Sequence, residues 1–151
     1  MIKNFILSLF ISGTLFAQSE AYDALKVFEP FIGEWFSKHK SIGAFEGLPK
    51  DKQIESYTKY EWITDKTAVK ETWRATYPNS DKRVNVGSIV YVLDPLTNTI
   101  KTKHFGYDGN VYWTGKGWVE SKDSTVYVYT EEMTINGTKT NYTFPSYPKC
   151  L

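Results

Sequence analysis

The chain is predicted to be all-β, an up-and-down antiparallel β-barrel of about eight strands preceded by a short helix. Runs of alternating, β-branched and aromatic residues follow one another from Trp35 to Phe144, which is the period-two signature of strands. The connections between them are short and carry turn chemistry such as Asp108-Gly109-Asn110 and Asn136-Gly137, where glycine takes the positive φ of a tight hairpin. Five Trp, eleven Tyr and nine Phe, 17% of 151 residues, also favour pleated, half-buried surfaces. Hairpin succession of this kind avoids exposed margins by closing on itself.

Lys3 followed by the apolar run Phe5 to Phe16 and the small residue Ala17 reads as a secretory signal peptide over residues 1–17. The run holds 12 residues, short of the roughly 20 that span hydrocarbon, and no later stretch is apolar enough. Residues 18–151 are expected to form one β-barrel domain, exported to the periplasm or beyond the cell, with no stable membrane insertion after cleavage.

Whole-chain charge is +1, and removal of the leader takes Lys3 alone, leaving 17 basic against 17 acidic residues. Such a balance argues against nucleic acid or an anionic membrane as partner, since both need clustered Lys and Arg. Cys150 is the only cysteine, so no intrachain disulfide can form. It is read as a frayed terminal thiol, with an interchain bridge as the alternative.

In order along the chain, Tyr22, Leu25 and Phe28 at three-residue spacing predict a short helix within Ser19 to Phe28, placed to plug one barrel end. Pro30 stops it. Gly33 lets backbone or a ring approach closely, and Trp35 is expected to fill the closed end. A strand over Trp35 to His39 is followed by a long loop, Ser41 to Gln53, a candidate lid. Strands are then expected at Ile54 to Ile63, Thr67 to Tyr77, Arg83 to Leu93, Thr99 to Tyr107, Val111 to Glu120, Ser124 to Ile135 and Thr138 to Phe144. Thr64-Asp65-Lys66, Pro78 to Asp81 and Asp94 to Asn98 supply further turns.

Pro30-Phe31-Ile32-Gly33-Glu34-Trp35, after a short helix and before a meander, resembles the Gly-x-Trp opening of the calycins, the group of lipocalins, fatty-acid-binding proteins and nitrobindins. Tyr91-Val92-Leu93-Asp94-Pro95, then Phe105-Gly106-Tyr107-Asp108-Gly109 and Gly115, resembles uncharacterised bacterial lipocalin-like families with a similar opening. The resemblance covers most of residues 18–151 and implies a barrel that holds a small apolar molecule. Two departures limit it. Nitrobindin-like haem binding needs a histidine late in the barrel, and Gly115 to Leu151 has none, so haem is not expected and no cofactor is predicted. Lipocalins proper usually carry more residues and often a disulfide.

His39 and His104 are the only imidazoles, and neither has a second ligand at the spacings of zinc sites, so no metal is predicted. His104 shares strand parity with Ile100 and Thr102; it is read as a surface or hydrogen-bonded residue, with a cavity-facing base or haem ligand as the alternative. Glu71 alternates with Val69, Trp73, Ala75 and Tyr77 and should be drawn inward with them. A carboxylate there either receives a ligand's polar end, serves as a general acid or base, or is held by a structural hydrogen bond from Tyr or Arg. Gly87-Ser88 lacks the Gly-x-Ser-x-Gly elbow, and the glycines at 106, 109, 115 and 117 are not expected to form a phosphate loop, since no helix is predicted after them.

The expected role is a carrier or sensor of a small lipophilic molecule, with Trp35, Trp62, Glu71, Trp73, His104 and Trp113 as candidate ligand-binding residues. A cofactor-free isomerase or hydrolase using Glu71 with Arg74 or His104 is the first alternative. A filled barrel that binds another protein through exposed aromatics is the second.

Overall fold

The computed structural model describes residues 20–43, 48–121 and 126–148; the expected leader, residues 1–17, and Cys150 lie outside them. Eight strands form one antiparallel sheet in chain order: β1 Gly33–Lys40, β2 Gln53–Ile63, β3 Ala68–Thr76, β4 Arg83–Asp94, β5 Thr99–Asp108, β6 Val111–Ser121, β7 Val126–Ile135 and β8 Thr138–Pro148. Each strand pairs with its sequence neighbours, giving an up-and-down meander. Among the described residues no pairing joins β1 to β8, so barrel closure is not seen. Strand limits fall within two residues of those expected from turn chemistry, except that β8 continues four residues beyond Phe144. A register shift between Tyr127 and Tyr129 interrupts the β7–β8 ladder there, the kind of irregularity that lets a strand carry prolines at 145 and 148.

The turns follow from residue chemistry. Asn136 and Gly137 both have positive φ (49° and 81°), as a type I′ hairpin requires. Asp94 holds its turn through its carboxylate, which accepts from the Leu96 N–H at 3.0 Å and the Thr97 hydroxyl at 2.9 Å. Thr64, Asp65 and Lys66 all adopt left-handed φ (51°, 52° and 64°) without a glycine among them. Steric crowding of Cβ makes that conformation costly, most of all for β-branched Thr64.

The sheet is strongly curved. Trp73 on β3 and Trp113 on β6 are three strand steps apart, about 14 Å in a flat sheet, yet their ring centroids lie 6.0 Å apart with planes 14° from parallel. Glu71 on β3 and Tyr129, four strands away on β7, likewise border one space. Cross-strand register assigns the inner face: the row through Tyr60, Glu71, Ile89, His104, Gly115 and Met133 lies beside the row through Trp62, Val69, Tyr91, Thr102, Gly117 and Glu131.

Both ends of this face are covered. Residues 20–25 are α-helical and run into a 3-10 helix, Lys26–Phe31, containing Pro30. From it Leu25 is fully buried, Phe28 packs on Tyr91 at 4.4 Å, and Tyr22 packs on Trp62 at 5.3 Å. At the opposite end Leu48, from the long loop, joins Ile54, Ala75, Val84 and Tyr77 in a small apolar cluster. Ser41 ties that loop down, donating to the Pro49 carbonyl and accepting from the Lys52 N–H at 3.1 Å. Part of the candidate lid, residues 44–47, lies outside the described residues.

Trp35 does not fill an end of the sheet. Strand β1 is exposed along almost its whole length, Trp35 is 51% exposed, and its Nε1 donates to the Phe31 carbonyl at 2.6 Å. The N-terminal helical segment reaches the inner face first, and Leu25 takes the buried position instead.

Candidate functional site

Between the two covered ends the inner face keeps a hollow of about 310 Å³. Its apolar wall is Trp73, Ile89, Trp113 and Met133, and its polar wall is Glu71, Asn85, His104, Asp108, Tyr129 and Glu131. Of the residues expected from sequence, Glu71, Trp73, His104 and Trp113 are brought together here. Trp62 is not among those lining the hollow and packs beneath Tyr22. Trp35 borders a groove of about 560 Å³ that shares Trp73 with the hollow; Phe36, Tyr57, Arg74 and Val86 on its lining belong by alternation to the outer face.

Four glycines make the inner face possible. A Cβ on Gly87 would stand 2.3 Å from Trp73 Cζ2, on Gly106 2.4 Å from Trp113 Cζ2, on Gly115 2.1 Å from His104 Nε2, and on Gly117 2.7 Å from the Tyr129 hydroxyl oxygen. Each bare Cα therefore leaves room for a ring from a neighbouring strand to approach closely. In three of the four cases glycine and ring are direct cross-strand partners: Trp73 with Gly87, Trp113 with Gly106 and His104 with Gly115.

Glu71 is held by tyrosine. The Tyr91 hydroxyl donates to Glu71 Oε2 at 2.8 Å, and Tyr60 supplies a second hydrogen bond. Burial raises the Glu71 pKa, and the two hydroxyl donors oppose the shift without cancelling it. The same burial, with the Glu71 charge nearby, raises Tyr91 and Tyr60, so both phenols stay protonated as donors. Arg74 takes no part: it lies on the outer face, exposed, 3.7 Å from Asp81. Pairing of Glu71 with Arg74 is thus ruled out by strand alternation, since the two stand an odd number of residues apart.

A second cluster faces it. Glu131, 12% exposed at its side chain, has its pKa raised by burial and is hydrogen-bonded by Tyr129. His104, 4% exposed, meets the Tyr129 hydroxyl through Nδ1 at 3.2 Å, and that hydroxyl also lies 3.2 Å from Thr102 Oγ1. Desolvation lowers the His104 pKa and keeps the imidazole neutral. Its Nε2 stands 3.6 Å from Glu131 Oε2, outside hydrogen-bond reach. Among the described residues, neither His104 Nε2 nor Trp113 Nε1 has a hydrogen-bond partner although both are buried. Unpaired buried polar atoms of this kind are uncommon in folded proteins.

At the rim, Trp73 Nε1 donates to Asn85 Oδ1, and Asn85 Nδ2 donates to Asp108 Oδ1, fixing the indole by a three-residue chain. Trp113 also meets His104 edge-on, with ring centroids 5.7 Å apart. Together these contacts hold a rigid aromatic floor under one neutral imidazole and buried carboxyl groups. Such a surface can receive a small molecule with an apolar body and a polar end, or exchange protons with it. Among the described residues no three His, Cys, Asp or Glu side chains come together as a metal site, and no helix is long and apolar enough to cross a membrane.

Sequence reasoning missed Glu131, Tyr129, Tyr91, Tyr60 and Asp108. Glu131 had a usable signal, since it alternates with Tyr129 and Met133. No family model matches this chain, and no curated protein or solved structure matches it either.

Proposed function

We propose that this protein is an exported, calycin-like carrier or sensor that binds one small, largely apolar molecule in the hollow on its inner face. The observation that supports this most is the hollow itself, about 310 Å³, floored by Trp73 and Trp113 and bounded by Ile89 and Met133. A core built only for stability would be filled to near crystal density. Here the Trp73 and Trp113 rings lie close against glycines and border open space. The buried, unpaired nitrogens of His104 and Trp113 add polar positions that a ligand could satisfy.

The test is titration with a panel of apolar fluorescent probes while following Trp emission. Quenching is expected, and replacing both Trp73 and Trp113 by Phe should remove most of it. A protein that binds none of a broad panel of lipids and aromatic probes would overturn the reading.

One observation favours a second reading, cofactor-free acid–base catalysis as an isomerase or hydrolase. Glu71 and His104 line the same hollow, with Glu131 3.6 Å from the imidazole. If the hollow is catalytic, His104→Asn abolishes turnover of a substrate while an apolar probe still binds. Probe binding without turnover of any ester or keto compound leaves the carrier role in place and removes the catalytic one.

A further inference from the structure

We propose that the ligand of the inner hollow is a small organic cation, an amine whose ammonium group sits by Glu131, His104 and Glu71 while its apolar part lies on Trp73 and Trp113. This rests on the binding role proposed above and specifies the chemistry of its ligand.

Charge is the first argument. Among the described residues three carboxyl groups line the hollow, and no Lys or Arg does. The two cations nearest in sequence to Glu71 are accounted for on the other face: Arg74 lies beside Asp81, and Lys70 has the outer parity of Arg74. His104 supplies no positive charge, because burial keeps it neutral. Burying carboxylates without a counter-charge is costly, and Glu71 and Glu131 both show that cost as raised pKa values. An ammonium group brought in by the ligand removes it. A neutral lipid leaves it standing, and an anionic one adds repulsion.

The second argument is the geometry around His104. His104 is 96% buried, and its Nε2, without a hydrogen-bond partner among the described residues, points toward Glu131 across 3.6 Å. The Tyr129 hydroxyl bonds to Glu131 and lies beside His104 Nδ1. In the tautomer whose Nδ1–H donates to that hydroxyl, Nε2 is a bare acceptor. Two acceptors, imidazole nitrogen and carboxylate oxygen, then face each other too far apart for any bond between them. A group with several donors on one atom is what such a pair lacks, and an alkylammonium carries three.

The third is the aromatic floor. Trp73 and Trp113 lie nearly parallel, and indole faces attract cations as well as apolar surface.

The probes are three molecules of nearly equal size, naphthylethylamine, naphthylethanol and naphthylacetate, titrated at neutral pH into the full chain without its leader. The amine should bind at least about tenfold more tightly than the alcohol, and the acetate should bind most weakly. Glu71→Gln and Glu131→Gln, each checked for an intact thermal transition, should weaken the amine about fivefold or more and leave the alcohol within about twofold. The comparison of probes on the unaltered protein stands even where a variant fails to fold. An alcohol that binds as tightly as the amine, or an acetate that binds better, overturns the cationic ligand and leaves the carrier role intact. If none of the three binds and the apolar panel is also refused, both proposals fall.

Discussion

Gly115→Ala is the sharpest probe of how the inner face is built. The new Cβ would stand 2.1 Å from His104 Nε2, 2.8 Å from His104 Cδ2 and 2.6 Å from the Glu132 carbonyl oxygen, where ordinary contact begins at 3.4 Å. The imidazole would have to withdraw by about 1.3 Å, breaking its approach to Tyr129. It cannot absorb the whole clash, because the Glu132 oxygen is backbone of β7, which pairs with β6 at Gly115 and Met133. Overpacking of this kind costs about 1–3 kcal/mol, which for a domain of this length is a fall in Tm of roughly 3–12 °C. The sign is what decides. Gly115 has no left-handed φ, so the cost is one of crowding and not of backbone strain, and without the ring only the part due to the Glu132 carbonyl oxygen would remain. Thermal melting of Gly115→Ala, His104→Ala and the double variant forms a cycle in which the double should be less destabilised than the two singles added together. A Tm that rises in Gly115→Ala, or strict additivity in the cycle, would refute the ring-on-glycine arrangement.

Other outcomes follow from the same contacts. Glu71 and Glu131 have folded pKa values raised by burial, so the native state binds more protons than the unfolded chain. The stability they contribute is fully present below about pH 4.3 and is lost as pH rises through the folded values, and the Glu71→Gln/Glu131→Gln variant should show a flatter Tm profile over that window. His104 has the opposite sign: its folded value is lowered, so its contribution is present above about pH 6.5 and is lost as pH falls through the folded value; His104→Gln should remove that loss. Tyr91→Phe deletes one of the two hydroxyl donors to Glu71 and should cost about 1–3 kcal/mol in urea unfolding, with no change in expression of the fold by circular dichroism. Thr64→Gly relieves a β-branched residue at φ 51° and should raise stability by about 1 kcal/mol, read from the same unfolding curves.

Turn chemistry made the eight strands legible, because Asn136-Gly137, Gly109 and the Asp94 turn impose backbone geometries that few other residues accept. Alternation made Glu71 and Trp73 legible, since period two places both on the side of Val69. What alternation within one strand does not carry is which residues meet across strands. The close approaches at Gly87, Gly106, Gly115 and Gly117 depend on register, and register depends on where each hairpin turns. Glu131 and Tyr129 join Glu71 around one hollow only because the sheet curls between β3 and β7. Trp35 was expected inside because a Trp after Gly33 can close a barrel end. Instead the segment before it, through Leu25 and Phe28, covers the inner face and leaves Trp35 beside Phe31. Arg74, three residues from Glu71, stands on the other face of β3, because side chains an odd number of residues apart in a strand point to opposite sides.

Everything proposed about function depends on an accessible hollow over Trp73 and Trp113. Proton–nitrogen NMR of the five indole N–H groups, recorded during titration with naphthylethylamine, reports on that space without any substitution in the protein. The signals of Trp73 and Trp113 should move together and saturate, while those of Trp35 and Trp118 stay in place. Saturating shifts confined to Trp35 or Trp118, or no shift of Trp73 and Trp113 at saturating probe, would contradict a ligand site on the inner face.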